Sequence, residues 1–378
     1  MKISQHINPD SFLKNRLRFS FRFLLLAMVV IYSVNTSAQN ITAYNDYRKY
    51  LQAFDSGQVH QVEYLQVQSY KIGGNAIAYV DNRSDFKIFY NGRSYMQLNA
   101  IDFSYSVSNN LVSYKVGSVL YVFDQGEKKT LSYYNNGLTS LNDSLLVYYD
   151  DSKYSMSIYY NGKDTELESS FLEPPRLVKT GPNVVAWVNQ SGFFKVFYHG
   201  KISTLDNVTP VSFEVGRDIV AYVDDYTRNF HLFYYGDTAR AEEVAPDSYS
   251  MGYGIMAYTD YENNFRVFFD GKTQRLLSSK PDFFSVKGNV IVYAYNSMFN
   301  VWFDGKVTTL ENYTPRDYQV GINGVAWIDE NGRLKYFDRG TVYTASYEII
   351  KKYLLTGNVL KFDVGNNTVG VFFQGKAW

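Results

Sequence analysis

The sequence contains no cysteine and only 8 prolines in 378 residues. Without thiols there are no disulfide staples, thiolate metal sites, thiol nucleophiles or lipid-bearing cysteines, so burial alone must hold the fold. Long apolar runs are missing too. The one candidate for a membrane segment is the twelve-residue uncharged run 23–34. As a helix it covers about 18 Å, against a hydrocarbon core of about 30 Å. No run of Lys or Arg and no basic face emerges, which argues against nucleic acid as a partner. No GxSxG, phosphate-loop or HExxH string is present, which removes the motif-marked hydrolase, nucleotide and zinc-protease readings.

The formal charge balances at 37 against 37, but unevenly along the chain. Residues 1–38 carry Lys2, Lys14, Arg16, Arg18 and Arg22 against the single acid Asp10. The rest holds 32 basic and 36 acidic residues, a net charge of about −4. A basic segment ending at Arg22, the run 23–34, and then Asn35, Thr36, Ser37 and Ala38 follow the order of a secretory signal. Cleavage is expected after Ala38, leaving Gln39 first. That address is the periplasm or outer envelope, with retention of the run as an anchor as the alternative.

What is abundant is aromatic: 36 Tyr and 27 Phe within a 46% apolar composition. This is enough for a packed core, and Tyr and Phe favour pleated surfaces. They are also periodic. An aromatic inside a short apolar run recurs at Tyr79, Tyr114, Tyr148, Trp187, Tyr222, Tyr258, Tyr293, Trp327 and Phe362, every 34 to 39 residues. A glycine closes a second aromatic run at Gly92, Gly126, Gly162, Gly200, Gly236, Gly271, Gly305, Gly340 and Gly375. A fixed period of this length marks a repeat architecture.

The unit is β rather than helical. Its apolar runs span five or six residues, are rich in β-branched and aromatic side chains, and are bounded by turn signals. The pairs Asn91-Gly92, Asn161-Gly162, Asp270-Gly271 and Asp304-Gly305 suit the two positive-φ positions of a type I′ hairpin. In the copy near Ser69, strand A is expected over 69–73, B over 76–80, C over 86–90 and D over 93–98. Strand B is apolar throughout (AIAYV, VVAWV, IVAYV, GVAWI), so both its faces must be covered. A small residue (Ala78, Ser113, Ala186, Ala221, Ala257, Ala326) precedes its aromatic, where neighbouring sheets converge.

Eighteen positions separate the hairpin glycines Gly92, Gly200, Gly271, Gly305 and Gly340 from the residue before the next strand B, and Gly57 keeps that distance to Asn75. Asp55-Ser56-Gly57 therefore reads as a hairpin turn and 58–65 as a strand D. The last unit ends three residues after Gly375, with almost no strand D. Just upstream, Tyr47, Tyr50, Leu51 and Phe54 have the spacing of a short helix.

The four-strand repeat, the AYVD, AWVN and AWID runs, the FKIFYNG, FKVFYHG and FRVFFDG hairpins and the complementary ends resemble WD-repeat-like and TolB-like β-propellers over about residues 58–378. The resemblance implies an all-β propeller of about nine four-stranded blades of ~35 residues, within a range of seven to nine. It further implies that N- and C-terminal strands share one blade to close the ring, and that the ring is a binding platform. The layout is then a signal peptide over 1–38, a lead-in over 39–57 and one propeller domain over 58–378. The rival fold, an outer-membrane barrel, needs alternating strands of about 9–11 residues, longer than strand B and apolar on one face only.

Chemistry-bearing residues fall on repeat positions. His60, His199 and His231 occupy unrelated places in their units, His199 at a turn Asn and His231 at the Lys87 position, and no pair has metal-ligand spacing. Asp81, Asp150, Asp224, Asp260 and Asp329 recur after strand B. Asp224-Asp225 and Asp329-Glu330-Asn331-Gly332 resemble calcium loops in part, but EF-hand spacing is missing, and turns capped by their own side chains account for the recurrence. Carboxylates set for glycoside hydrolysis pair in space rather than in sequence, and nothing singles out two. Asp143-Ser144-Leu145 and Asp237-Thr238-Ala239 resemble bacterial O-glycosylation acceptor strings. The expected function is a non-enzymatic envelope scaffold without catalytic, cofactor or metal residues, whose partner is another envelope protein. A carbohydrate-binding propeller and a glycoside hydrolase are the alternatives.

Overall fold

Ten times along the chain a two-residue turn that ends in glycine, with both residues at positive φ, folds one strand back on the next. The series runs from Ser56-Gly57 (50° and 95°) through Asn91-Gly92 (49° and 76°) to Gln374-Gly375 (48° and 76°). These are the type I′ hairpins expected of Asn-Gly and Asp-Gly pairs. His199 and Tyr235 hold the same left-handed conformation without being Asn or Asp. The computed structural model describes residues 40–99, 102–169, 173–175, 177–365 and 368–378; the expected signal over 1–38 lies outside them.

Each such hairpin is the outer half of an antiparallel sheet. Nine sheets have four strands in meander order, and the first has three among the described residues. Numbered as blades in chain order, their B strands are Ile41–Asn45, Ala76–Val80, Leu111–Val116, Leu145–Asp150, Val184–Val188, Ile219–Val223, Met256–Thr259, Val290–Tyr295, Gly324–Ile328 and Val359–Val364. Blade 2 matches expectation nearly residue for residue, with A at Ser69–Ile72, B at Ala76–Val80, C at Asp85–Tyr90 and D at Arg93–Asn99.

The core is divided among blade interfaces, because strand B is covered by a neighbour on each side. In blade 5, Trp187 packs back onto Val147, Ile158 and Leu167 of blade 4, while Ala186 faces Val220, Tyr222 and Phe233 of blade 6. The small residue lets the following sheet approach, and the aromatic fills the interface behind. In eight blades the pairing of C with D slips by one residue near the start of C. This bulge places an extra strand D residue, such as Leu131 or Leu167, in the interface with the next blade.

The ring holds ten blades, not nine, and it closes differently from expectation. Residues 41–55, expected within a lead-in with a short helix, form Ile41–Asn45 and Leu51–Asp55, strands B and C of blade 1. The helix-like spacing comes from the turn between them, where Asp46 Oδ1 accepts from the Arg48 and Tyr50 N–H groups, each at 2.9 Å. The propeller therefore begins before residue 58. Gln58–Gln61 is strand D of blade 1, paired with Leu51–Asp55, and does not complete the last blade. Blade 10 has its own strand D, Lys376–Ala377, prolonged by the Trp378 N–H donating to the Val371 carbonyl at 2.8 Å.

Closure is face to face. Phe54 packs with Val359, Val371 and Phe373, its ring lies 5.6 Å from that of Trp378, and Lys361 Nζ donates to the Ala43 carbonyl at 3.1 Å. Phe54→Ala is therefore expected to cost about 3–5 kcal/mol, read as a lower urea midpoint. A change under about 0.5 kcal/mol would mean that blade 1 lies outside the ring.

Candidate functional site: the loop face

In a four-stranded meander the A–B and C–D turns lie at one end of the sheet and the B–C and D–A connections at the other. The ring thus has a hairpin face and a loop face. On the hairpin face the inner turns are tied to one another. Asn75 Nδ2 donates to Asn110 Oδ1 at 3.2 Å, Asn183 Nδ2 to Asp218 Oδ1 at 2.6 Å, Asn289 Nδ2 to Asn323 Oδ1 at 2.7 Å and Asn323 Nδ2 to Asn358 Oδ1 at 2.9 Å. The glycines beside this belt admit no side chain: a Cβ on Gly181, Gly216 or Gly252 would overlap the next blade's carbonyl oxygen, at Gly216, Gly252 and Gly288 in turn. The belt was legible but missed. Asn40, Asn75, Asn110, Asn183, Asn289, Asn323 and Asn358 each stand one residue before a strand B.

On the loop face, the recurrent acids after strand B are engaged in their own turns. Asp81 Oδ1 accepts from the Arg83 and Asp85 N–H groups at 2.8 and 2.9 Å, and Asp329 Oδ1 from those of Asn331 and Arg333, both at 2.9 Å. The second oxygen meets a cation, Lys87 at 2.8 Å from Asp81 and Arg333 at 2.8 Å from Asp329. Asp224 accepts from the N–H and hydroxyl of Thr227. These bonds occupy the oxygens that a calcium loop would need.

The strand B aromatic is Tyr or Trp in nine of the ten blades, and in five of these a second device engages its polar tip. A polar residue near the end of strand D reaches the polar tip of that aromatic in the next blade. Tyr79 donates to Glu63 at 3.1 Å, Tyr114 to Gln97 at 3.1 Å, Tyr258 to Glu242 at 2.6 Å and Trp327 Nε1 to Glu311 at 2.8 Å. A cation on strand C joins some of them, as Lys87 does to Glu63 at 2.7 Å and Lys195 to Glu168. In blade 10 the aromatic is Phe362, and Ser346 takes the place of the acid.

The junction between blades 5 and 6 brings two acids together. A cavity of about 510 Å³ there is lined by Asp206, Tyr222, Asp224 and His231. The carboxyls of Asp206 and Asp224 lie against each other. Burial, then the Asp224 contact, pushes Asp206 up; the N–H and hydroxyl of Thr227 hold Asp224 down. Sequence reasoning found no paired carboxylates, yet Asp206 stands sixteen residues before Tyr222, as Glu63 does before Tyr79.

The other candidates stay apart. His60 rests on Phe89 at 5.7 Å, His199 lies at a hairpin turn on Tyr198 at 4.2 Å, and His231 stacks on Tyr222 at 5.2 Å. Ser144 accepts from Asn110 Nδ2 at 2.7 Å in the inner belt, whereas Thr238 is exposed on strand D of blade 6.

Exposed large apolar side chains concentrate on the loop face. The B–C loops show Tyr47, Tyr154, Phe193, Tyr226 and Tyr261, with Tyr226 at 92% exposure. The D–A loops show Tyr64, Leu65, Tyr133, Tyr134, Tyr347 and Ile349. Among the turns of the hairpin face, Tyr235 is the exposed aromatic.

The turn carboxylates set an acid limit. Asp81, Asp150, Asp260 and Asp329 lie below the ordinary range: burial would raise them, but turn N–H groups and the facing Lys87, Ser152, Arg266 and Arg333 outweigh it. A carboxyl depressed by folding adds stability above its unfolded pKa, near about 3.9, and loses it as pH falls through the folded value. Asp164 and Asp338, both pushed up by desolvation, act oppositely. Stability is expected to drop below about pH 4, and Asp260→Asn to flatten the drop, as urea midpoints across that range will show.

The sequence matches the model of the 10-bladed beta propeller domain over residues 35–378. No curated protein matches it. Among solved structures, it is similar to the computationally designed Ika8 protein at 15% identity, covering 71% of this chain and 95% of that one, with a TM-score of 0.33. It is similar to Hsv2 of Kluyvelomyces marxianus at 14% identity, covering 61% and 91%, with a TM-score of 0.30. It is similar to PorZ of Porphyromonas gingivalis, a bacterial surface component of the type-IX secretion system, at 9% identity, covering 82% and 51%, with a TM-score of 0.29. None is close enough in sequence to carry a function across. With its family match spanning the whole ring, and ten sheets in sequence around it, the chain belongs to the ten-bladed β-propeller family.

Proposed function

We propose that this protein is a non-enzymatic scaffold of the cell envelope that binds another protein through the loop face of its ring. The one-sided distribution of exposed aromatics carries this reading: Tyr64, Tyr226, Tyr261 and Tyr347 crowd the loop face, whereas the hairpin face is tied together by its asparagine belt. Tyrosines are enriched at protein interfaces, where an apolar ring with a polar tip serves in both wet and dry states, and clustered exposed apolar side chains mark binding surfaces. The envelope address rests on the signal-like order of residues 1–38.

Neither alternative draws comparable support. Exposed aromatics occupy unequal loop positions, one residue after Asp46 and Asp260, two after Asp224 and four after Asp150, so they build no repeated sugar subsite. The Asp206 and Asp224 carboxyls touch, whereas glycoside hydrolysis needs a separation of about 5–9.5 Å.

Tyr64, Tyr226 and Tyr261 changed together to Ser should leave the unfolding midpoint within about 0.5 kcal/mol and abolish the partner captured by cross-linking in the native envelope. Tyr235→Ser should leave capture intact. Capture that survives the triple change, or fails with Tyr235→Ser, would sink the loop-face assignment.

A further inference from the structure

Each blade junction is a control for the others. Between blades 1 and 2, the Lys87 ammonium sits between two carboxylates, 2.7 Å from Glu63 and 2.8 Å from Asp81, beside the Tyr79 ring that donates to the same Glu63. Between blades 6 and 7, Arg266 takes this place, 2.5 Å from Asp260 and 3.8 Å from Glu242. The two acids are therefore held at a spacing that suits one cationic nitrogen.

Between blades 5 and 6 the acids are Asp206 and Asp224 and the aromatic is Tyr222, but the cation position is His231. Its imidazole lies flat against Tyr222, with planes 20° apart, rather than between the acids. Arg240 also lines this cavity, with its guanidinium 3.6 Å from the exposed Glu243, and Arg228 lies 3.6 Å from Asp225. Two carboxyls thus line a cavity of about 510 Å³, together with the hydroxyl-bearing Thr204 and Thr238. Among the described residues no lysine or arginine bridges them.

We propose that this cavity binds a primary ammonium or guanidinium group carried on a slim stem, the chemistry of a lysine or arginine side chain or of a free alkylamine. The guest takes the place that the repeat fills with its own lysine elsewhere. Two carboxylates give its N–H donors charge-assisted partners, and the threonine hydroxyls add neutral ones. Burial, then the facing Asp224 carboxyl, pushes Asp206 up. A bound ammonium favours the ionised pair, so binding strengthens as pH rises through the Asp206 titration.

Calorimetric titration with N-acetyl-lysine methylamide and with n-butylamine tests this without any protein partner, and so independently of the loop-face reading. Wild type is expected to bind the lysine derivative, more than about tenfold more weakly at acid than at mildly alkaline pH. His231→Lys restores the repeat's own cation; it should weaken binding by more than about tenfold and raise the thermal midpoint. Asp206→Asn should weaken binding similarly, and serves if the lysine variant fails to fold. His231→Gln should keep both binding and its pH dependence. Butylamine binding alongside the lysine derivative assigns recognition to the ammonium alone; binding of the lysine derivative only adds a contact to its stem. Absent binding at millimolar ligand, or binding unchanged in His231→Lys and Asp206→Asn, overturns the proposal.

Discussion

Strand B is apolar on both faces, and everything else follows from having to cover it twice. A sheet such as Val184–Val188 with its neighbours buries Trp187 against the blade before and Ala186 against the blade after, so no blade is stable by itself. An open stack would leave two uncovered faces and need capping units. Closing the stack into a ring removes both at once, which is what Phe54 does by packing on Val371 and Phe373. The ring then leaves one further problem, the inner edge of each strand A, whose N–H and C=O groups face the channel. Side chains of the preceding blade cap it. Gln319 donates to the Tyr353 carbonyl at 2.9 Å and accepts from the Leu355 N–H at 2.8 Å, and Lys71 and Lys179 donate to the Tyr105 and Phe213 carbonyls at 2.7 and 2.8 Å.

Much of this was legible because hydrophobic period and turn chemistry act locally. The type I′ pairs and the doubly apolar strand B define a four-stranded unit without any knowledge of its neighbours. Blade 1 escaped because its B–C turn places Tyr47 and Tyr50 where a helix would, although Ala43 and Tyr44 stand 35 residues before Ala78 and Tyr79. Ring closure was misread because edge pairing is a relation between chain ends, and Lys376–Ala377 is too short to announce itself as a strand. The Asp206–Asp224 contact was invisible for a similar reason: the two acids belong to different blades, and only packing brings them together.

The interfaces also show why polar chemistry recurs without catalysis. An aromatic that must be buried at its body and satisfied at its tip calls for Tyr or Trp with an acceptor. Tyr258 with Glu242 and Trp327 with Glu311 meet that demand at 2.6 and 2.8 Å. At Phe362 there is no polar tip, and Ser346 stands in the acid's place. Perturbed carboxylates here are thus a product of stacking blades, and a recurring acid is weaker evidence of chemistry than one whose partners break the pattern.

The two faces carry unequal freedom for the same structural reason. A hairpin turn with two residues at positive φ has little room to vary, and the inner turns are further pinned by Gly-to-carbonyl approaches such as Gly252 on Gly288. The B–C and D–A connections are pinned by no Gly-to-carbonyl approach of this kind. Their lengths differ, from the short Asp81–Ser84 turn to the stretch between Glu168 and Val178, and their tips carry Tyr or Phe in some blades and Arg or Glu in others. A repeat that holds its interfaces and inner turns constant while its loops diverge concentrates recognition on one face, because only there does a change of side chain leave the stacking of the blades untouched.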